Sequence, residues 1–302
     1  MIGLLSSEWL RMRSRRLVKV LAALAFLGIV AAVVIGAVQS ERPSADAVAL
    51  AERRADRAFD ECLANDGFGA VEPGGNIASF CEQQADPALF LDEQPLQLSE
   101  FPEILRGTSF VVILIGLVIG ASAVGASWQT GTMTTILAWE PRRTRVALAR
   151  AAVVCVGTVA LIAALLGIFL ALFGIATSLR GLTATPDGWA SETAGVLGRI
   201  SALAGAASII GGAIAMVGRN TTAALGGVFV YLTVLEGILR GLRPALGRFL
   251  LGDNIATLVI GDNIAIGDGS TISPSRAVVV VAVYALGLLA VGTASFRIRD
   301  VQ

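Results

Sequence analysis

Long apolar runs, separated by short charged stretches, set the pattern of this chain. About 20 apolar residues at 1.5 Å each cross a hydrocarbon core about 30 Å thick. Windows 20–39, 108–127, 151–178, 200–218 and 277–296 reach that length without a charged side chain. A sixth window, 220–239, does so except for Glu236. Lipid offers no hydrogen bonds to backbone groups, so each run must satisfy its own, which selects helices over strands. The pattern predicts an all-α integral membrane protein with six transmembrane helices. The first run is too long for a secretory signal and lacks its small-residue cleavage site, so it is read as a retained anchor.

The basic residues orient the spans, because arginine and lysine favour the cytoplasmic side. Segment 1–19 holds Arg11, Arg13, Arg15, Arg16 and Lys19 against Glu8. Segment 40–107 carries 14 acids against 5 arginines, whereas 128–150 carries Arg142, Arg143, Arg145 and Arg150 against Glu140. The tail 297–302 adds Arg297 and Arg299. Six spans with both termini inside satisfy every bias. An odd number would misplace one terminus.

The stretch 40–107 is then an extracytoplasmic loop. Ser44 is a candidate N-cap, and Val48, Ala51, Ala55, Phe59 and Cys62 recur at helical spacing, ahead of a break at Glu72 to Asn76. Cys62 lies on that apolar stripe and Cys81 follows the break. In an oxidising compartment a Cys62–Cys81 disulfide is expected, the alternative being two buried free thiols. Cys155, inside the third span, is expected to pack.

Segment 240–275 is expected to be extracytoplasmic or re-entrant. Its beginning sets Arg240, Arg243 and Arg248 among leucines and Phe249, interrupted by Pro244 and glycines. It is too broken for another span and suits an interfacial element. Asp253 to Ser275 reads as irregular loop. Glu236 and Arg240, four apart in the favourable order, suggest a helical ion pair. With Arg243 they form either a gate or an anchor in the headgroups.

Composition then removes whole classes of activity. Apolar residues make up 55% and charged residues 15% of the 302, with net charge zero and mean hydropathy +0.76. Soluble domains have about 25% charged residues. Zero net charge argues against a nucleic-acid partner. There is no histidine and Lys19 is the only lysine, so neither a histidine-based triad or metal site nor a phosphate-binding GxxxxGK[ST] loop can be built. No nucleophile–base constellation suggests an intramembrane enzyme. No repeated halves with interrupted helices suggest an ion-coupled transporter. Gly116 and Gly120 form a GxxxG step in the second span that would admit a close helix.

The most informative stretch is Gly125 to Arg150. Between two spans it keeps Met133, Ile136, Leu137 and Trp139 near helical spacing before Pro141. Such a segment suits an amphipathic helix on the inner face, offered to another protein or serving as a structural elbow. Here the chain resembles the permease subunits of bacterial type-2 ABC exporters, whose corresponding loop reads Gly-Ser-Glu-aromatic-x-x-Gly-Thr. Gly125, Trp128, Gly131 and Thr132 match, while Ser127 stands at the acidic position. The opening Ser6 to Arg16 resembles the family's amphipathic N-terminal helix, and Phe296 to Val301 its usual ending.

The resemblance implies an ATP-driven exporter half in a bacterial cytoplasmic membrane. A second permease would pair with it, as homo- or heterodimer, in the lipid bilayer. A separate ABC ATPase subunit, carrying ATP and Mg2+, would dock through Trp128, Gly131, Thr132, Trp139, Arg142 and Arg143. No cofactor is expected in this chain itself. The alternative is a membrane anchor or sensor whose outer loop binds a ligand or protein.

Overall fold

The computed structural model describes residues 2–40, 43–65, 77–85, 87–91, 95–129, 131–132, 138, 142–267 and 269–298. Helices dominate them. In chain order they are α1 (Ile2–Ser14), α2 (Arg16–Gln39), α3 (Ala45–Ala64), α4 (Ile77–Gln84), α5 (Phe101–Gln129), α6 (Arg143–Arg180), α7 (Trp189–Gly218), α8 (Thr221–Leu242), α9 (Leu251–Ile260) and α10 (Pro274–Ile298). Six of these, α2, α5, α6, α7, α8 and α10, are long and apolar enough to cross a membrane. A two-residue antiparallel hairpin, Ile264–Ala265 with Thr271–Ile272, joins α9 to α10.

The chain divides into two compact units. The larger comprises Met1–Leu27, Pro102–Ile168 and Gly188–Gln302. Its centre is the crossing of α5 with α7. A Cβ at Gly116 or Gly120 would collide with the carbonyls of Ala204 and Ser208, and one at Gly211 with that of Leu117. The GxxxG step thus lets two backbones touch, the contact that substitutes for hydrophobic drive inside lipid. Ile113, Leu117, Leu203, Ile210, Val228 and Val281 fill the core beside it.

The smaller unit comprises Gly28–Phe101 and Phe169–Asp187. Ser44 caps α3 by accepting the Ala47 N–H at 3.2 Å. Ala51, Ala55 and Cys62 form the buried stripe of α3, and Cys62 is bonded to Cys81 of α4 with Cα atoms 5.6 Å apart. The expected disulfide is therefore present. Phe101, Phe169 and Phe173 stack at 5.1–6.1 Å. Ser40 accepts the Leu96 N–H and donates to the Arg180 carbonyl.

Several boundaries differ from the sequence expectation because helices continue past the apolar windows. Arg143, Arg145 and Arg150 are the first turns of α6, a 38-residue helix, not loop. At 1.5 Å per residue α6 runs about 57 Å, well beyond a hydrocarbon core. The larger correction is Asp253 to Ser275. Its first part is helix α9, with Leu251, Asn254, Thr257, Leu258 and Val259 on a buried face. The side-chain donors of two of these polar residues bond back to backbone carbonyls: Asn254 donates to the Leu250 carbonyl at 2.7 Å, and Thr257 to that of Asp253 at 2.9 Å. Asn220 caps α8 by accepting the Thr222 N–H at 2.9 Å.

Candidate functional site

The stretch between α5 and α6 has two described ends around a middle, 133–137 and 139–141, that contains Trp139 and lies outside the described residues. Trp128 closes α5. Its ring stacks edge-on against Phe296 at 5.8 Å, and the Arg219 guanidinium sits over it at 4.7 Å. The indole N–H is buried without a partner among the described residues. Gly131 takes φ +66°, where a side chain would be strained, and Thr132 donates to the Ser127 carbonyl at 3.3 Å. On the other side, Arg142 accepts the Arg145 N–H through its carbonyl at 2.9 Å. Arg143 donates to the carbonyls of Phe296 and Arg297. Those are orphan acceptors at the end of α10, the position a guanidinium favours. Both flanks of the segment therefore meet at Phe296.

Next to this end lies a charge cluster that the sequence reading missed. Arg150 is 2% exposed and Glu8 5%. Arg150 forks onto the Glu8 carboxylate at 3.1 and 3.2 Å, and its remaining arm donates to Ser127 Oγ at 3.2 Å. Arg11 adds a third contact to Glu8 at 3.2 Å. Arg15 donates to the carbonyls of Ser122 and Ala123 at 2.8 and 2.9 Å and to Ser127 Oγ at 3.3 Å. Burial first, then Arg150 and Arg11, hold Arg15 below the ordinary arginine range, with Glu8 opposing. Ser127 is thus a hydroxyl shared by two arginines, and the carboxylate of the cluster comes from α1. The visible signal was Glu8, the lone acid in a basic segment.

The second candidate region involves Glu236, Arg240 and Arg243. The expected Glu236–Arg240 pair is not formed. Glu236, 2% exposed, accepts the Gly252 N–H at 3.1 Å on each carboxylate oxygen, while Arg240 pairs with Asp253 at 2.6 Å. The first turn of α9 has N–H groups with no intrahelical acceptor, and a carboxylate there satisfies them. Gly252 is needed for this approach, since a Cβ would stand 2.6 Å from Glu236 Oε2. A π-helical turn, Tyr231–Leu235, directly precedes Glu236. Such bulges recur at functional sites. Arg243 is exposed and its backbone makes the turn after α8.

Glu236, Arg240, Asp253 and Arg106 line one end of a cavity of about 550 Å³, whose body is apolar and built from α5, α7, α8, α9 and α10. That volume lies in the range of small-molecule sites, about 300–1,000 Å³. Among the described residues no group of histidine, cysteine, aspartate and glutamate is arranged to hold a metal. Compared with family models, curated proteins and solved structures, the chain gives no match.

Proposed function

We propose that this chain is the membrane-spanning permease subunit of an ATP-driven exporter of the type-2 ABC kind. It would lie in a bacterial cytoplasmic membrane with both termini inside and pair with a second permease. ATP and Mg2+ would be handled by a separate ATPase subunit at the segment between α5 and α6. The observation that carries the reading is the convergence of both flanks of that segment on the last turn of α10. A push on residues 128–143 is passed to α5 through Trp128, to α6 through Arg143 and to α10 through Phe296. The Glu8–Arg150 lock adds α1 to the same rigid end.

Trp128 packs inside the chain against Phe296 and Arg219, so in this reading Trp139 is the aromatic offered to the ATPase. Truncating a buried interface aromatic costs about 2 kcal/mol or more, and arginines at the rim matter less and in a salt-dependent way. The test is Trp139→Ala in the complete chain, expressed with the ATPase of its own operon or host. Loss of co-purification and of transport, with unchanged melting of the permease, is the expected result. Wild-type stoichiometry and transport would reduce the segment to an elbow. Orientation is checked by an Arg142→Cys variant lacking Cys155. Its labelling in intact cells by an impermeant thiol reagent would reverse the assignment.

One observation favours a second reading, a membrane-anchored sensor: the disulfide-braced α3–α4 pair is a folded element large enough to bind a partner. A chain that captures an extracytoplasmic protein through 43–101 and never an ATPase would establish that reading in place of the first.

A further inference from the structure

One arginine of the larger unit has no countercharge. Arg106, Arg150 and Arg240 are each ion-paired. Arg199 of α7 forms neither an ion pair nor a hydrogen bond among the described residues, and its Nε is buried without a partner. Its place is nevertheless fixed. A Cβ at Gly261 would stand 2.5 Å from Arg199 Cζ, and one at Gly195 3.3 Å from its Nη1. The guanidinium is thus wedged between its own helix and the left-handed glycine, φ +85°, that ends α9. Asp262, beside that glycine, is exposed and accepts the Asn263 N–H at 2.7 Å instead. The negative end of α9 offsets about half of the charge, and the rest is unmatched.

Arg199 directly precedes the uncharged window 200–218. As helix that window spans about 28 Å, close to the thickness of a hydrocarbon core, about 30 Å. The guanidinium therefore stands where acyl chains meet headgroups. From it an apolar cleft of about 220 Å³ runs between α7, α9 and α10, and every lining residue except Arg199 is apolar. Leu203, Leu258 and Val281 form its buried floor, and Ala202 and Val278 its exposed rim. Ala206, the lining residue of α7 farthest from Arg199, lies about 10 Å along the helix. An unmatched cation is costly away from water, and acidic headgroups are drawn to basic pockets between spans. One cation at headgroup level, above an apolar groove open at its rim, fits an anionic head with an apolar chain below.

We propose that this cleft holds one anionic phospholipid of the surrounding leaflet, its phosphate on the Arg199 guanidinium and an acyl chain along the groove between α7 and α10. The N–H donors of Arg199 are unengaged, and a phosphate takes such donors as a fork. The chain is held by the apolar area it buries against the groove. A lipid with no net charge fills the groove equally well but leaves the guanidinium unmatched, so preference for the anionic lipid is the mark of the site. The site rests only on the chain lying in a bilayer and needs no ATPase.

The experiment uses the full chain in nanodiscs of equal parts phosphatidylglycerol and phosphatidylcholine with identical acyl chains. Lipids retained after release into detergent are counted by native mass spectrometry. The parent should keep one more phosphatidylglycerol per chain than Arg199→Gln, with equal numbers of phosphatidylcholine. Ala202→Trp, which fills the groove from its rim and leaves every charge, should lose the same lipid. Arg13→Gln, which removes an exposed arginine of α1, should keep the parent's number. Parent-like retention by Ala202→Trp or by a folded Arg199→Gln would overturn the proposal, as would a parent that keeps no phosphatidylglycerol. An equal loss in Arg13→Gln would overturn it by showing general attraction to basic surfaces. Displacement of the lipid by millimolar inorganic phosphate would overturn it by making the site one for soluble anions. Ala202→Trp decides the matter if Arg199→Gln does not fold.

Discussion

Two buried carboxylates, Glu8 and Glu236, are held in opposite ways. Glu8 is gripped by the forked guanidinium of Arg150 and touched by Arg11. Glu236 is met by a backbone N–H at the start of α9 and keeps an edge on a cavity. The first arrangement exhausts the charge and fixes one end of the bundle. The second satisfies hydrogen bonds without cancelling the charge. A buried ion pair is a lock whose loss is costly because it strands its partner. A carboxylate on amides is a seat that keeps the charge. The two ends of the larger unit thus differ in what holds the buried charge, a guanidinium at one and a backbone amide at the other.

The comparison is broken most directly at Arg150. Arg150→Met should cost about 3–5 kcal/mol, since Glu8 remains buried without its main partner. Thermal melting in detergent reads this. The double variant Glu8→Gln with Arg150→Met should recover most of the loss, as removing both charges removes the stranded one. A single variant that melts like the parent would mean that α1 is held by packing alone.

A smaller effect separates the lock from the covalent brace in the other unit. Cys62 and Cys81 are 19 residues apart, a loop whose closure contributes about 3 kcal/mol in the chain-entropy model. Cys62→Ser with Cys81→Ser should expose α3 and α4 to limited proteolysis and leave cleavage near α1 unchanged. Alkylation of the parent without reductant should modify Cys155 at most. Cleavage spreading to α1 would show that the two regions are not stabilised separately.

Glu236 should respond more weakly. Glu236→Ala removes the acceptor at the start of α9, comparable to losing a helix cap, about 1–2 kcal/mol. Glu236→Gln retains an acceptor and should fall within about 0.5 kcal/mol of the parent. A loss as large as that for Arg150→Met would erase the distinction between seat and lock.

How much of this was legible in the sequence follows from the range of each interaction. The six long helices are written in runs of apolar residues, a signal that needs no tertiary information. Cys62 and Cys81 were readable because a helical stripe and a break bring them within reach. Glu8–Arg150 was not, because 142 positions separate them and both sit in segments that look like solvated basic clusters. Helix α9 was hidden for another reason. Asp253, Asn254 and Thr257 carry loop propensity, which intrahelical side-chain bonds and a borrowed carboxylate cap override. The Glu236–Arg240 spacing was read correctly as local geometry and wrongly as a pair, because Asp253 and the amides of α9 compete for the two groups.

The finest test of the lock is Ser127. Its hydroxyl accepts from both Arg150 and Arg15 and donates weakly to the Ala123 carbonyl at 3.3 Å. Ser127→Ala removes an acceptor from two guanidiniums that keep their other partners, so the expected loss is about 1 kcal/mol. The informative quantity is the coupling to Glu8, not that loss. In a cycle of Ser127→Ala, Glu8→Gln and the double variant, residues of one network should give an interaction energy of about 0.5 kcal/mol or more. The physical reason is that Arg150 is shared: once Glu8 loses its charge, the guanidinium depends more heavily on the hydroxyl. Strict additivity of the two melting shifts would show that Ser127 merely fills space beside the ion pair, and that Arg150 is fixed by the carboxylate of α1 alone.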